Sequence, residues 1–130
     1  MICGCGIDVE ELVRFRGHTK SFPDGSFVQI VLSQEEIQNF SIYDSPLCLP
    51  LAFSCKEAMF KALGMSWTTG QIDWKDIRLF FDAHPDLKQF HISFSGYAKQ
   101  LYEQMGKPEI ESTYEIHDDH IVFEIVLNNE

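Results

Sequence analysis

Two carboxylates and one lysine hold most of the chemistry that this sequence offers. Asp8 closes the first apolar segment, ICGCGID, and Glu57 and Lys61 lie one helical turn apart in FSCKEAMFKALG, residues 53–64. At about 100° per residue, Ser54, Glu57, Lys61 and Gly64 crowd into one narrow strip. Phe53, Cys55, Ala58, Met59, Phe60, Ala62 and Leu63 make the rest of that helix apolar, and Lys56 projects between Leu63 and Phe60. The strip has two readings. As a solvated i,i+4 Glu–Lys pair it contributes only about 0.2–0.5 kcal/mol. As the lining of a cleft it presents a carboxylate to a metal. A hard dication such as Mg²⁺ takes one or two protein carboxylates and completes its octahedron with water and substrate phosphates. Asp8, Glu57 and a lysine therefore suffice for phosphoryl-type transfer. Asp8 also has a second reading, as the N-cap of a helix with Glu11 at N3.

These residues need a scaffold, and the chain supplies one domain, 1–130, with no repeat or linker. ICGCGID reads as a short strand running into a helix. FVQIVL is extended or a last helical turn, and Ser33 with Glu36 makes a capping box that opens a helix to about Phe40. After the loop YDSPLCLP comes the charged helix, 51–64, stopped by Gly64; MSWTTGQ follows as a loop. IRLFFD and FHISFS read as strands around AHPDLK, GYAKQLYEQMG as an amphipathic helix, and ESTYEIH with HIVFEIVL as a hairpin about Asp118 and Asp119. The order predicts an α+β fold with a mostly antiparallel sheet and a central helix.

Composition narrows the function classes. Twenty acids against ten bases give a net charge of −10, which weighs against nucleic-acid binding. No apolar run approaches the ~20 residues of a membrane span. The start, MICGCGIDVEE, has no basic n-region, so the cytoplasm is the expected location. Cys3, Cys5, Cys48 and Cys55 form neither C-x-x-C nor a Cys/His knuckle and read as core thiols, the first two on one face of a strand. His117 and His120 flank the hairpin turn, as surface residues or as a metal pair. One stretch runs against the overall charge: LVRFRGHTKSF, residues 12–22, carries Arg14, Arg16 and Lys20 with no acid. It is either a solvated helix end or a basic patch suited to an acidic protein partner or a phosphate group.

GIDVEELVRF, residues 6–15, resembles the N-terminal motif of the 4′-phosphopantetheinyl transferases of the holo-acyl-carrier-protein synthase type. FSCKEAMFKALG matches their second motif, F-x-x-K-E-x-x-x-K-A-x-G. VLSQEEIQNF resembles the family's connecting segment, and WKDIRLFFD, residues 74–82, its strand after the motif helix. The resemblance implies the family's fold and its reaction: the phosphopantetheine arm of coenzyme A moves to a serine of an apo acyl or peptidyl carrier protein, releasing 3′,5′-ADP. It implies that Asp8 and Glu57 bind Mg²⁺, with Mn²⁺ an alternative, and that Lys61 reaches the phosphates or the reacting hydroxyl. Lys56 would lie near the nucleotide phosphates or anchor Glu57, with Gly64 and His117 also at coenzyme A. Glu57, or a metal-bound water it orients, would take the serine proton. Arg14, Arg16 and Lys20 would meet the acidic helix of the carrier. The family's small members are trimers with active sites between subunits, which implies a homotrimer in which Asp8 of one chain faces the motif helix of another or lies near it. The chain departs from the family pattern at Ala52, where an arginine is usual, at HPDLK in place of Gly-Lys-Pro, and at Ile116-His117 in place of Ser-His. Two other functions are compatible with the same residues: a non-catalytic binding or scaffold protein on this fold, and a small hydrolase of nucleotide pyrophosphates.

Overall fold

A computed structural model describes residues 1–65 and 73–129. The loop expected over 65–71 therefore lies, beyond Met65, outside the described residues. The chain opens with β1 (Ile2–Glu11), a 3₁₀ turn (Leu12–Phe15) and the short helices α1 (Arg16–Lys20) and α2 (Ser26–Val31). α3 (Gln34–Tyr43) and α4 (Cys48–Ala62) follow, then β2 (Ile77–Phe81), β3 (Phe90–Phe94), α5 (Gly96–Gln104), β4 (Glu109–His117) and β5 (His120–Asn128). All strand pairs are antiparallel, in a three-stranded sheet of order β1-β5-β4 and a two-stranded sheet β2-β3. The fold is the expected α+β arrangement, with the hairpin about Asp118 and Asp119 as its last two strands.

The central helix lies against β1 and β5 because β1 has no side chain where the two meet. A Cβ on Gly6 would stand 1.9 Å from the Ala58 carbonyl oxygen, and one on Gly4 2.2 Å from that of Ala62. The inward positions of β1 are thus Gly4, Gly6, Asp8 and Glu10, and its outward positions Cys3, Cys5, Ile7 and Val9. This alternation corrects two expectations. Cys3 and Cys5 do share a face, but it is the exposed one; only Cys48 and Cys55 are buried, and burial pushes both of those thiols up, Cys48 to about 12. Asp8 is not a helix cap. The strand continues three residues beyond it, Asp8 pairs with Phe123, and the helix that follows has no side-chain cap.

The remaining elements fasten to this centre. The capping box opening α3 is present as expected, with Ser33 and Glu36 bonding each other's backbone amides. Three side chains along one face of α3 then bond β2: Glu36 accepts from the Leu79 amide, Asn39 bonds both backbone groups of Phe81, and the Tyr43 hydroxyl donates to the Phe81 carbonyl. α4 begins earlier than the sequence suggests, at Cys48, since Pro50 sits in its first turn, where no intrahelical donor is lost. It ends in a Schellman motif: Gly64, at φ 72°, and Met65 donate to the carbonyls of Lys61 and Phe60.

Candidate active site

The seam between β1 and α4 collects the charged groups. Asp8 points inward and is buried, and the Ser54 hydroxyl donates to its Oδ2 at 2.9 Å. The Lys61 ammonium donates to the Ile7 carbonyl at 2.9 Å and lies 3.4 Å from Asp8 Oδ1. Glu57 lies between Ser54 and Lys61 on the same strip of α4. Burial raises its proton affinity, the Asp8 charge raises it further, and Lys61 opposes. The strip read from helical periodicity therefore faces Asp8, and it does so within one chain. A partner's motif helix is not needed to bring Asp8 to Ser54 and Lys61.

A third acid was not anticipated. Glu10, two residues beyond Asp8 on the same side of β1, is 8 % exposed and lies close enough to Asp8 to feel its charge. Arg14 pairs with it at 3.7 Å. Its pKa is pushed up to about 7, first by burial and then by Asp8, with Arg14 pulling it down and Glu57 adding to the rise. Period-two alternation from Asp8 would have found it. Reading Asp8 as the end of the strand concealed it. Ser54 was visible on the strip, but its role as a donor to Asp8 required the register of helix on strand.

Other expected site residues lie elsewhere. Lys56 is fully enclosed: its ammonium meets Glu36 at 2.8 Å and the carbonyls of Val31 and Trp74 at 2.9 Å each. All three of its N–H donors are thereby used, so the expected contact with nucleotide phosphates is withdrawn, as is a direct hold on the Glu57 side chain. Burial lowers its proton affinity and Glu36 opposes that change. His117 is exposed, three positions beyond inward-facing Tyr114, and so on the sheet face opposite Asp8. One chain does not bring it to the acids. Gly64 lies at the exposed end of α4, one turn beyond Lys61.

Arg16 and Lys20 line a cleft of about 420 Å³ with Leu12, Phe15, Leu47 and Pro50 between α1 and the start of α4. Arg14 is exposed beside it apart from its pairing with Glu10. The basic stretch is thus joined to apolar surface and, through Glu10, to Asp8.

The donor set suits a hard dication. Asp8 and Glu57 offer carboxylate oxygens, and Asp8 lies close enough to raise the cost of ionising Glu57, an excess of negative charge that a cation would relieve. Among the described residues no group of three or more His, Cys, Asp or Glu could cage a metal. Two carboxylates, with the remaining positions left to water and phosphate oxygens, match the habit of Mg²⁺ rather than that of a structural metal.

Comparison with known proteins agrees with this arrangement. The family model described as 4′-phosphopantetheinyl transferase superfamily matches residues 4–120. A holo-[acyl-carrier-protein] synthase of Geobacter sp. (strain M21) is 32 % identical over 108 residues, 82 % of either chain. Among solved structures, the Neisseria meningitidis holo-[acyl-carrier-protein] synthase superposes with a TM-score of 0.76 at 24 % identity, covering 99 % of this chain and 100 % of that one. The Helicobacter pylori enzyme, solved in complex with coenzyme A, gives 0.69 at 20 % identity, covering 95 % and 99 %. With both motifs in place and the β1–α4 seam assembled, the chain belongs to the 4′-phosphopantetheinyl transferase superfamily, as an enzyme of its holo-[acyl-carrier-protein] synthase type.

Proposed function

We propose that this protein transfers the 4′-phosphopantetheine arm of coenzyme A to a serine of an apo acyl or peptidyl carrier protein and releases 3′,5′-ADP, in a Mg²⁺-dependent reaction. The observation that carries this reading is the seam: Asp8 buried, held by Ser54 and Lys61, with Glu57 on the same strip of α4 within reach of both charges. Asp8 and Glu57 would hold the cation; Mn²⁺ offers the same oxygen chemistry. Bound there, it supplies neutralisation of the charge that develops on the transferred and departing phosphates. Lys61, anchored on the Ile7 carbonyl and half-exposed, turns its remaining donor to a pyrophosphate oxygen. Ser54 fixes the orientation of Asp8. Glu57, directly or through a water it orients, accepts the serine proton as the hydroxyl oxygen bonds to phosphorus and the bond to 3′,5′-ADP breaks. Gly64 and His117 are retained as coenzyme A contacts; His117 would have to serve a neighbouring chain's site.

Arg14, Arg16 and Lys20 receive the acidic surface of the carrier, and the cleft between them takes its apolar side chains. The protein acts in the cytoplasm as a homotrimer. Support for assembly comes from the outer face of β1, where Ile7 and Val9 are more than half exposed beside Cys5, with Val122 and Val126 flanking Glu124 opposite them on β5. No helix among the described residues is long and apolar enough to cross a membrane.

Intact mass spectrometry of an apo carrier incubated with the protein, coenzyme A and Mg²⁺ tests the reading. A gain of one phosphopantetheine is expected. An unmodified carrier, where an established transferase modifies it, contradicts the proposal and favours a binding or scaffold role. Release of 3′,5′-ADP without any acceptor favours a hydrolase.

A further inference from the structure

Lys56 and Glu36 are fully buried charges that the proposed chemistry does not use. Their bonds converge from five segments. Glu36 Oε1 accepts from the Ser33 amide and hydroxyl at 3.1 and 3.2 Å as well as from Lys56, and its Oε2 accepts from the Leu79 amide at 3.0 Å. Lys56 adds the Val31 carbonyl at the end of α2 and the Trp74 carbonyl before β2. The three Lys56 contacts grip α4 through a single side chain, one residue before Glu57, and the Ser33 and Leu79 bonds hold its partner Glu36 in place.

A buried ion pair is a weak source of stability, since well-packed apolar residues of similar volume often do as well or better. What it supplies here is direction. The apolar surface of α4, with Phe53 and Phe60 against Trp74, resists separation more than it resists rotation about the helix axis. Hydrogen bonds of fixed length and angle resist both. Side-chain ends of a helix lie at a radius of about 5–6 Å, so a 10° rotation displaces the Glu57 carboxylate by roughly 1 Å, beyond the ~0.5 Å that a functional constellation tolerates.

We propose that the Lys56–Glu36 pair is a positioning device that fixes the rotation of α4, so that Glu57 and Lys61 face Asp8. Lys56 acts through the helix and touches neither metal nor substrate. The inference rests on the reading of Asp8 and Glu57 as the cation site.

The test measures Mn²⁺ binding to the protein alone by electron paramagnetic resonance, beside kcat, KM for the carrier and the thermal melt. Lys56→Met leaves Glu36 unpaired in the core and is expected to lower the melting temperature. Lys56→Met/Glu36→Gln removes both charges while keeping an acceptor for the Ser33 or Leu79 amide, and is expected to melt higher than the single variant. The inference predicts that this folded double variant still binds Mn²⁺ at least ~10-fold more weakly than wild type and loses kcat, with KM for the carrier unchanged. Recovery of Mn²⁺ affinity and kcat along with the melt overturns it, because the pair then serves packing alone. If neither variant folds, Glu36→Asp keeps both charges but shifts the carboxylate by one methylene. Several-fold weaker Mn²⁺ binding by that variant supports positioning, and wild-type affinity overturns it. Wild-type protein that binds no Mn²⁺, or binds it no better than Asp8→Asn, overturns the reading of the site itself, and the inference with it.

Discussion

Gly6→Ala tests whether the β1–α4 seam is as tight as the account requires. The new Cβ would stand 1.9 Å from the Ala58 carbonyl oxygen, whereas real Cβ contacts essentially never fall below 3.0 Å, so strand and helix must part by at least the difference, 1.1 Å. Both partners are backbone, so no side chain can swing aside. Overpacking of this kind costs about 1–3 kcal/mol. At roughly 3–5 °C per kcal/mol for a domain of this size, the melting temperature falls by roughly 3–15 °C. The same displacement opens the two contacts that orient Asp8, the 2.9 Å bond from Ser54 and the 3.4 Å approach of Lys61. Misplacement by about 1 Å costs on the order of 10²-fold in rate. Thermal melts and single-turnover transfer are therefore measured together, with Gly17→Ala as control: nothing lies within 4 Å of a Cβ there, and alanine in α1 leaves stability unchanged or raises it by up to ~1 kcal/mol. A Gly6→Ala protein with the melting temperature and rate of wild type would refute the reasoning.

Further expectations concern charge and assembly. Glu10 holds its proton in the folded state up to about pH 7 against 4.5 as its ordinary value. Its contribution thus favours folding fully below pH 4.5 and is lost as pH rises from 4.5 to 7. Glu10→Gln should flatten the stability profile of the metal-free protein across that window in denaturant titrations, and an unchanged slope would remove Glu10 as its source. Arg16→Glu/Lys20→Glu should raise KM for the carrier about tenfold with kcat within twofold and reduce the salt dependence of kcat/KM; an equal loss of kcat would place these residues in the chemistry instead. Val9→Asp puts a charge on the exposed apolar strip of β1 and should shift the particle mass in light scattering from that of the proposed trimer toward monomer. An unchanged mass would assign assembly to another surface.

The sequence disclosed the parts whose cause is local. Helical periodicity placed Ser54, Glu57 and Lys61 on one strip, and Ser33 and Glu36 announced the start of α3, because both signals are complete within a few residues. Lys56 shows the limit. Its projection between Leu63 and Phe60 was legible, but the resemblance placed it near the nucleotide phosphates or on Glu57. Its three acceptors come from Val31, Glu36 and Trp74, segments that only the tertiary fold brings together. Cys3 and Cys5 were assigned to one face correctly and to the wrong side, since small apolar residues suggested burial. The inward side is reserved for Gly4 and Gly6 by the close approach of α4, a demand set by a helix more than forty residues away. Glu10 was lost in the same way, through ending the strand at Asp8.

The central claim is that Asp8 and Glu57 act together on a cation across the β1–α4 seam. Its most direct measurement is single-turnover transfer to an apo carrier by wild type, Asp8→Asn and Glu57→Gln over a Mg²⁺ titration, with thermal melts of each. The account predicts that both variants lose at least about 10²-fold in rate at saturating coenzyme A and need more Mg²⁺ to reach half their maximum, and that Glu57→Gln melts no lower than wild type, because it removes a charge that burial and Asp8 make costly. Wild-type rates and Mg²⁺ dependence in either folded variant would contradict it.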